Sequence, residues 1–206
     1  MTLLKRAALV AAAMVMGAST VFVVSAPAYA AFGHTLTLWY GDNVASIDTS
    51  TRAVTVCDQE RDGNGVVGEF VTTTGAVVEV GDPTGSASGC GHATAGSTIY
   101  RFRVCEDSSG CSSYGQWNSS KAAVFYGNNW ASYIKTSNQF EVCDMEADGR
   151  GVLGTFVGSG GTVTVSDPNG STAGCGLVSG WVPDHFRVCE NTGQGMVCSS
   201  WIYIDF

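Results

Sequence analysis

The residues of this sequence best suited to chemistry are carboxylates in two similar acidic, glycine-rich stretches. CDQERDGNGVVGEF begins at Cys57, and CDMEADGRGVLGTF begins at Cys143. In the first stretch the carboxylates are spaced nearly as in a calcium-binding loop, in which oxygen ligands surround a glycine turn. This spacing makes four residues candidate metal ligands: Asp58, Glu60, Asp62 and Glu69.

The acidic stretches are equally consistent with tight turns that need no ion. Asp62-Gly63 and Asp148-Gly149 are dipeptides that accept a positive φ, as the turn of a β-hairpin requires. Arg103 and Arg187 would then pair with the nearby carboxylates. The flanks read as strands, so neither stretch is an EF-hand. We expect no cofactor, with calcium as the alternative to the internally paired turn.

Catalytic groupings are sparse. His34, His92 and His185 occupy places that are not equivalent, and the recurring pairs Ser112-Ser113 and Ser199-Ser200 have no matching histidine. A Ser-His-Asp triad is therefore not indicated. No glycine-rich loop precedes a helix, so a phosphate-binding motif is absent as well. We predict that the protein is not an enzyme and has no catalytic residues.

The acidic stretches belong to an internal repeat. YGDN at Tyr40 aligns with YGNN at Tyr126, and FRVCE at Phe102 aligns with FRVCE at Phe186. A match over nearly the whole chain indicates two homologous units of about 85 residues. We place these units at residues 31–118 and 119–206.

The residue pattern within each unit is that of β-strands. Leu36, Leu38 and Tyr40 alternate with threonine and tryptophan, and the run from Tyr100 to Val104 alternates in the same way. No helical period occurs after the first thirty residues. The sequence therefore predicts an all-β protein with two tandem homologous antiparallel β-sandwich or small-barrel domains.

Eight cysteines, four in each unit, indicate disulfides rather than metal thiolates, because no CxxC pair occurs. The last two cysteines of each unit are close enough to bridge a short hairpin, which leaves the first two to pair with each other. The expected bridges are Cys57–Cys90, Cys105–Cys111, Cys143–Cys175 and Cys189–Cys198.

Strand parity identifies aromatic residues that face away from the core. If Val54 and Val56 face inward, Trp39 and its counterpart Phe125 fall on the outward face. Such rings would pack between the units or against a partner. The candidate partner-binding residues are Trp39, Phe125, Trp130 and Trp181.

The first thirty residues have the pattern of a secretory signal peptide. Lys5 and Arg6 precede an apolar run, and Ala28-Tyr29-Ala30 has the small-x-small cleavage pattern. Cleavage would leave eight basic residues against eighteen acidic ones, a net charge of −10. We expect a secreted protein that binds neither nucleic acid nor a membrane once the signal is removed, because its acidity repels phosphate groups.

These features suggest a secreted, non-enzymatic module that binds other extracellular proteins, including larger secreted subunits. One alternative is a protease inhibitor that uses the disulfide-closed loops Glu106–Gly110 and Glu190–Val197, with Met196 entering the protease. Another alternative is a carbohydrate-binding module, because aromatic rings stack on sugars.

The repeated phrases VCDxExDGxGV, DPxGS and FRVCE followed by CSS resemble those of small disulfide-rich proteins secreted by filamentous actinomycetes. More loosely, the architecture resembles the adaptor subunit of secreted umbrella toxin particles, which links a lectin-like subunit to a spoke-forming subunit. This resemblance implies an adaptor role in an extracellular toxin complex.

Overall fold

The chain folds from short antiparallel strands. The computed structural model describes residues 34–82, 89–107, 109–167 and 174–205, and none of them is helical. The predicted signal peptide, residues 1–30, lies outside the described residues. The expectation of an all-β, antiparallel protein is confirmed.

Eighteen strands are present among the described residues. In chain order they are β1 (Thr35–Tyr40), β2 (Asn43–Asp48), β3 (Ala53–Cys57), β4 (Val66–Thr72), β5 (Val77–Gly81), β6 (Gly91–Thr94), β7 (Ile99–Glu106), β8 (Gly110–Cys111), β9 (Gly115–Asn118), β10 (Lys121–Tyr126), β11 (Asn129–Ile134), β12 (Gln139–Cys143), β13 (Val152–Gly158), β14 (Gly161–Ser166), β15 (Gly176–Ser179), β16 (His185–Asn191), β17 (Met196–Cys198) and β18 (Ile202–Asp205).

The strands form two sheets of nine. The first sheet has the order β14-β13-β16-β18-β1-β2-β3-β6, with β17 paired to β16. The second has the order β15-β12-β11-β10-β9-β7-β4-β5, with β8 paired to β7. Both sheets contribute to one hydrophobic core, so the molecule is a β-sandwich.

The core follows the two-residue period of the strands. Leu36 and Leu38 of β1 are fully buried, whereas the residues between and beside them are half-exposed or exposed. Phenylalanines at the centre stack in two groups, Phe70 with Phe102 and Phe156 with both Phe140 and Phe186. Burying each such side chain contributes roughly 1.5 to 3 kcal/mol.

The two halves of the repeat share both sheets. Strands β1, β2, β3 and β6 lie in the first sheet, whereas their counterparts β10, β11, β12 and β15 lie in the second. The expected boundary at residue 118 falls between β9 and β10, which pair with each other. The equivalent pair in the first sheet is β18 with β1. Leu38 lies opposite Ile202 in this pair, as Val124 lies opposite Gly115 in the second sheet. The halves are thus joined by strand pairing, and their description as two tandem domains stays a prediction.

Four disulfides join the cysteines in the pairs that the repeat predicts. The long bridges span 33 and 32 residues, and each short bridge lies across a hairpin between directly opposed cysteines. On the loop-entropy model a long bridge contributes about 4 kcal/mol and a short one about 2 kcal/mol. Such bridges fit an oxidising, extracellular environment.

Candidate functional site

An aromatic groove lies on the outer face of the second sheet, where the two halves of the chain meet. Its cavity is about 290 Å³. The groove is lined by four residues from each half: Tyr100, Gln116, Trp117, Asn118, Lys121, Ala123, Phe125 and Trp130.

Strand register produces the groove. Lys121, Ala123 and Phe125 point outward from β10 because the residues between them, Ala122 and Val124, are buried in the core. Across the neighbouring strands Ala123 faces Gln116 and Phe125 faces Trp130. The small side chain of Ala123 between larger neighbours leaves a depression with aromatic walls.

Lys121 is fixed beside the groove. Its Nζ lies 3.6 Å from the centre of the Trp130 ring and 2.7 Å from Glu141 Oε2. Ser132 donates a hydrogen bond of 3.1 Å to the same carboxylate oxygen. The lysine charge is therefore balanced within the sheet, and the Trp130 ring is held in place.

Of the four aromatic residues expected to bind a partner, the structure brings two together. Phe125 and Trp130 share the groove. Trp39 lies on the first sheet, edge-on to Tyr203 of β18 with ring centres 6.3 Å apart. Trp181 packs edge-on against the core residue Phe140, with ring centres 5.2 Å apart.

The acidic stretches connect the two sheets and are not hairpins, so that prediction is wrong. β3 pairs with β2 and β6 in the first sheet, whereas the next strand, β4, pairs with β5 and β7 in the second. The connecting residues 58–65 cross from one sheet to the other. Gly63 and Gly149 do adopt positive φ, 83° and 76°, as the Asp-Gly dipeptides predict.

Asp58 organises the first crossing. Its side chain is buried, and its Oδ1 accepts a 3.0 Å hydrogen bond from the Glu60 backbone N–H. Its own N–H donates to Asp82 Oδ2 at 2.8 Å. Asp144 and Asp167 repeat these contacts in the other half. These hydrogen bonds shape the turn.

The next two candidate ligands meet a third carboxylate. Oxygens of Glu60, Asp62 and Glu106, which we name the first acidic cluster, lie within 4.8 Å of one another. Asn64 Nδ2 donates to Asp62 Oδ2 at 2.6 Å and to Glu106 Oε1 at 3.1 Å. A hydrogen bond with Asp62 raises the pKa of Glu106, because two adjacent carboxylates favour keeping one proton between them.

The second acidic cluster consists of Glu146, Asp148 and Glu190, again within 4.8 Å. Here Arg150 supplies a positive charge. Its Nη1 donates to Glu190 Oε1 at 2.8 Å, and its Nε lies 3.4 Å from Asp148 Oδ2. Hydrogen bonding to Glu190 raises the pKa of Arg150 above its usual value.

Glu69, the fourth candidate ligand, lies apart from the first acidic cluster. It projects from β4, where its carboxylate accepts hydrogen bonds from the Tyr114 hydroxyl and, at 2.8 Å, from Arg103 Nη2. Burial raises the pKa of Glu69, but these two hydrogen bonds outweigh it and leave the pKa below its usual value. Arg187, the counterpart of Arg103, instead lies over the Trp201 ring.

Glu106 and Glu190 were missed as members of the clusters because they are about forty residues from the loops in sequence. A signal was present, since each ends a repeated FRVCE phrase directly after a bridged cysteine. Of the groove residues outside the aromatic candidates, Gln116 and Lys121 carry no comparable signal. Only the pairing of β9 with β10 brings them together.

The recurring serines Ser112 and Ser199 are hydrogen-bonded to the backbone of a neighbouring strand. Both serines are buried. The Oγ atom of Ser112 accepts a 3.1 Å hydrogen bond from the Val104 N–H, and that of Ser199 accepts one of the same length from the Val188 N–H.

The second of the suggested inhibitor loops is partly a strand. Met196 and Val197 are exposed, but they belong to β17 and pair with β16. The inhibitor hypothesis stays a prediction.

Comparisons with protein-family models, with curated proteins and with solved structures found no match for this chain. Within the part of the chain that the structure describes, no helix is long and apolar enough to cross a membrane.

Proposed function

We propose that this chain is a secreted, non-catalytic protein-interaction module that serves as an adaptor or subunit of an extracellular, toxin-type complex. The aromatic groove carries the proposal. Phe125, Trp130 and the exposed Tyr100 line a cavity of about 290 Å³ that the described residues leave unfilled. The looser resemblance of the architecture to the adaptor subunit of umbrella toxin particles supports the same role.

The groove suits an apolar side chain presented by a protein partner. Aromatic side chains supply large contact areas and dominate the energetics of protein interfaces. The walls lie on paired strands, and Lys121 holds the Trp130 ring, so little conformational entropy is lost on binding. The partner is therefore expected to insert one apolar or aromatic residue between Phe125 and Trp130.

The proposal is tested by affinity purification from the native culture fluid with the tagged, disulfide-intact protein. Three forms are compared at physiological salt: the wild type, the double variant Phe125→Ala/Trp130→Ala, and the control Trp39→Ala. Trp39 corresponds to Phe125 in the repeat but lies on the first sheet. Larger exported subunits should accompany the wild type and the control in stoichiometric amounts and be lost with the double variant.

Two results would overturn the proposal. One is a wild-type protein that elutes as a monomer without companions. The other is retention of the same companions by the double variant. Thermal denaturation of all three forms checks that the loss reflects the groove and not unfolding.

Carbohydrate binding is a second candidate, favoured by the Gln116 and Asn118 amides that line the groove beside the rings. Amides bind sugar hydroxyls while aromatic rings stack on the sugar face. Affinity electrophoresis in gels that contain soluble polysaccharides measures this directly. Retardation of the wild type and of Trp39→Ala, but not of the double variant, would favour the sugar.

A further inference from the structure

The residues of the two acidic clusters occupy matching positions in the repeat, but the residue between their carboxylates differs. Asn64 occupies this position in the first half, and Arg150 occupies it in the second. Both side chains bridge the same pair of acids, Asp62 and Glu106 or their counterparts. Only the second cluster therefore receives a positive charge from its bridging residue.

Asn129 shows how the second cluster is arranged around this charge. Glu190 directs Oε1 to the Arg150 guanidinium and Oε2 to Asn129 Nδ2, at 2.8 Å and 3.3 Å. Asn129 Nδ2 also lies 3.4 Å from Glu146 Oε2. The Glu190 carboxylate thus accepts a hydrogen bond from the Arg150 guanidinium with one oxygen and from the buried Asn129 amide with the other.

In the first half the counterpart of this amide nitrogen, Asn43 Nδ2, has no hydrogen-bond partner among the described residues. Asn43 is fully buried, and its Oδ1 accepts a 3.1 Å hydrogen bond from the Gln59 N–H, as Asn129 Oδ1 accepts one from Met145. Because the Oδ1 contacts match, Asn43 Nδ2 is expected to point to the side of the first acidic cluster, as Asn129 Nδ2 points to Glu146 and Glu190 in the second half. Nevertheless Asn43 Nδ2 makes no hydrogen bond. A buried donor left in this way costs about 1 to 3 kcal/mol.

We propose that the first acidic cluster binds a calcium ion, which displaces the Asn64 amide from between Asp62 and Glu106 and takes the place that the Arg150 guanidinium has in the second cluster. Glu60, Asp62 and Glu106 supply the ligands. Each glutamate would turn one oxygen to the ion and the other to Asn43 Nδ2, in the way that Glu190 is shared between Arg150 and Asn129. Binding thus gives Asn43 Nδ2 an acceptor and neutralises the mutual repulsion of the three carboxylates.

Geometry and charge favour calcium over smaller ions. Calcium takes oxygen ligands at about 2.3 to 2.6 Å, so opposed ligands are about 4.6 to 5.2 Å apart. The carboxylate oxygens lie within 4.8 Å of one another, so they can reach one ion, and calcium accepts such irregular sets of oxygen ligands whereas magnesium demands near-ideal octahedral geometry. Asp42 and Asp107 adjoin the first cluster, where the second half has the neutral Asn128 and Asn191. Arg61, beside Glu60, is exposed and forms no ion pair with any described residue.

The test uses the disulfide-intact protein, stripped with EDTA and titrated with calcium chloride in a calorimeter. We expect one ion per chain, a Kd of about 10⁻⁴ to 10⁻³ M as in extracellular modules, and a higher Tm with calcium. Magnesium should bind more weakly. Absence of both heat and a Tm shift up to about 10 mM calcium, tenfold above that range, would overturn the proposal.

Exchange of the bridging residues makes the test specific. Asn64→Arg should remove calcium binding without unfolding the protein, because the guanidinium supplies the missing charge. Arg150→Asn should add a second, weaker site. Glu190→Gln, outside the proposed site, should keep a single ion with unchanged affinity. Wild-type binding by Asn64→Arg, or its loss in Glu190→Gln, would contradict the assignment. The outcome is independent of the groove variants.

Discussion

The two acidic loops of this protein have the same backbone course, the same aspartate-capped turn and the same three clustered carboxylates. They differ in how the negative charge is balanced. In the second half Arg150 lies between Asp148 and the buried Glu190. In the first half Asn64 bridges the equivalent acids without a charge, and Asn43 Nδ2 has no hydrogen-bond partner within the described part of the chain. A single residue thus separates a self-contained ion pair from a cluster that we propose is completed by calcium.

The outer faces of the two sheets differ in a similar way. Phe125 and Trp130 face each other across β10 and β11, whereas their counterparts across β1 and β2 are Trp39 and Val44. A valine cannot form the second aromatic wall. Both differences show that the two halves share a scaffold, while side chains at matched positions change the charge balance of the clusters and the aromatic walls of the outer faces.

The largest losses of stability are expected from changes in the cores of the two halves. Phe156 stacks on Phe140 at 4.3 Å and on Phe186 at 5.2 Å, whereas its counterpart Phe70 stacks on Phe102 at 6.0 Å. Each phenylalanine-to-alanine change should cost about 3 to 5 kcal/mol. Phe156→Ala should cost about 0.5 to 1.5 kcal/mol more, because it loses an additional aromatic pair.

Urea denaturation of Phe156→Ala and Phe70→Ala, at matched pH and with all disulfides oxidised, measures this difference. Equal losses in the two variants would mean that ring stacking adds nothing to burial in this core.

The next difference concerns the charge of the second cluster. In EDTA, Arg150→Asn should lower the free energy of unfolding by more than the matched change in the first half, because the buried Glu190 loses its charged partner. Asn64→Ala, the matched change in the first half, removes only neutral donors and should cost about 1 kcal/mol or less. Equal losses in thermal or urea denaturation would argue against a different charge balance in the two clusters.

The smallest difference is at the turn after β2. Asp48 accepts hydrogen bonds from the Ser50 hydroxyl at 2.6 Å and the Ser50 N–H at 2.8 Å, which lower its pKa to about 2. The second half has Ile134 at this position. Asp48→Ala should cost about 0.5 to 1.5 kcal/mol at pH 7.

Because the pKa of Asp48 is lower in the folded state, its contribution is complete above an unfolded pKa of 3.8 and disappears as the pH falls towards 2. Denaturation of wild type and Asp48→Ala at pH 7, 4 and 2 should therefore show converging stabilities. A constant gap across this range would assign the effect to something other than ionisation.

Much of the scaffold could be predicted from local sequence features. Alternation at Leu36, Leu38 and Val54 identified strands, because side chains of a strand point to opposite faces. The spacing of Cys105 and Cys111 identified a bridged hairpin for the same local reason. Gly63 followed an aspartate at a turn that needs positive φ. Each of these inferences involves residues close together in the chain.

The candidate sites could be predicted only in part, because distant segments build them. Asp62 precedes β4 and Glu106 ends β7, so the strands between them must all pair before the two carboxylates meet. Glu69 was grouped with the loop by spacing, yet the register of β4 turns it towards Arg103 and Tyr114. Spacing along the chain predicts which residues share a site only when one loop supplies all the ligands. In this protein the loop does not supply them all, because Glu106 belongs to β7.

The sequence by itself determined the all-β class, the repeat and the disulfide pairs, because periodicity and cysteine spacing report local geometry. The tertiary structure alone decided that the halves share both sheets, that the acidic stretches cross between sheets, and that Lys121, Phe125 and Trp130 join Tyr100 and Gln116 in one groove. These features depend on which strands pair across long separations, and pairing is selected by burial of the whole core, not by any one segment.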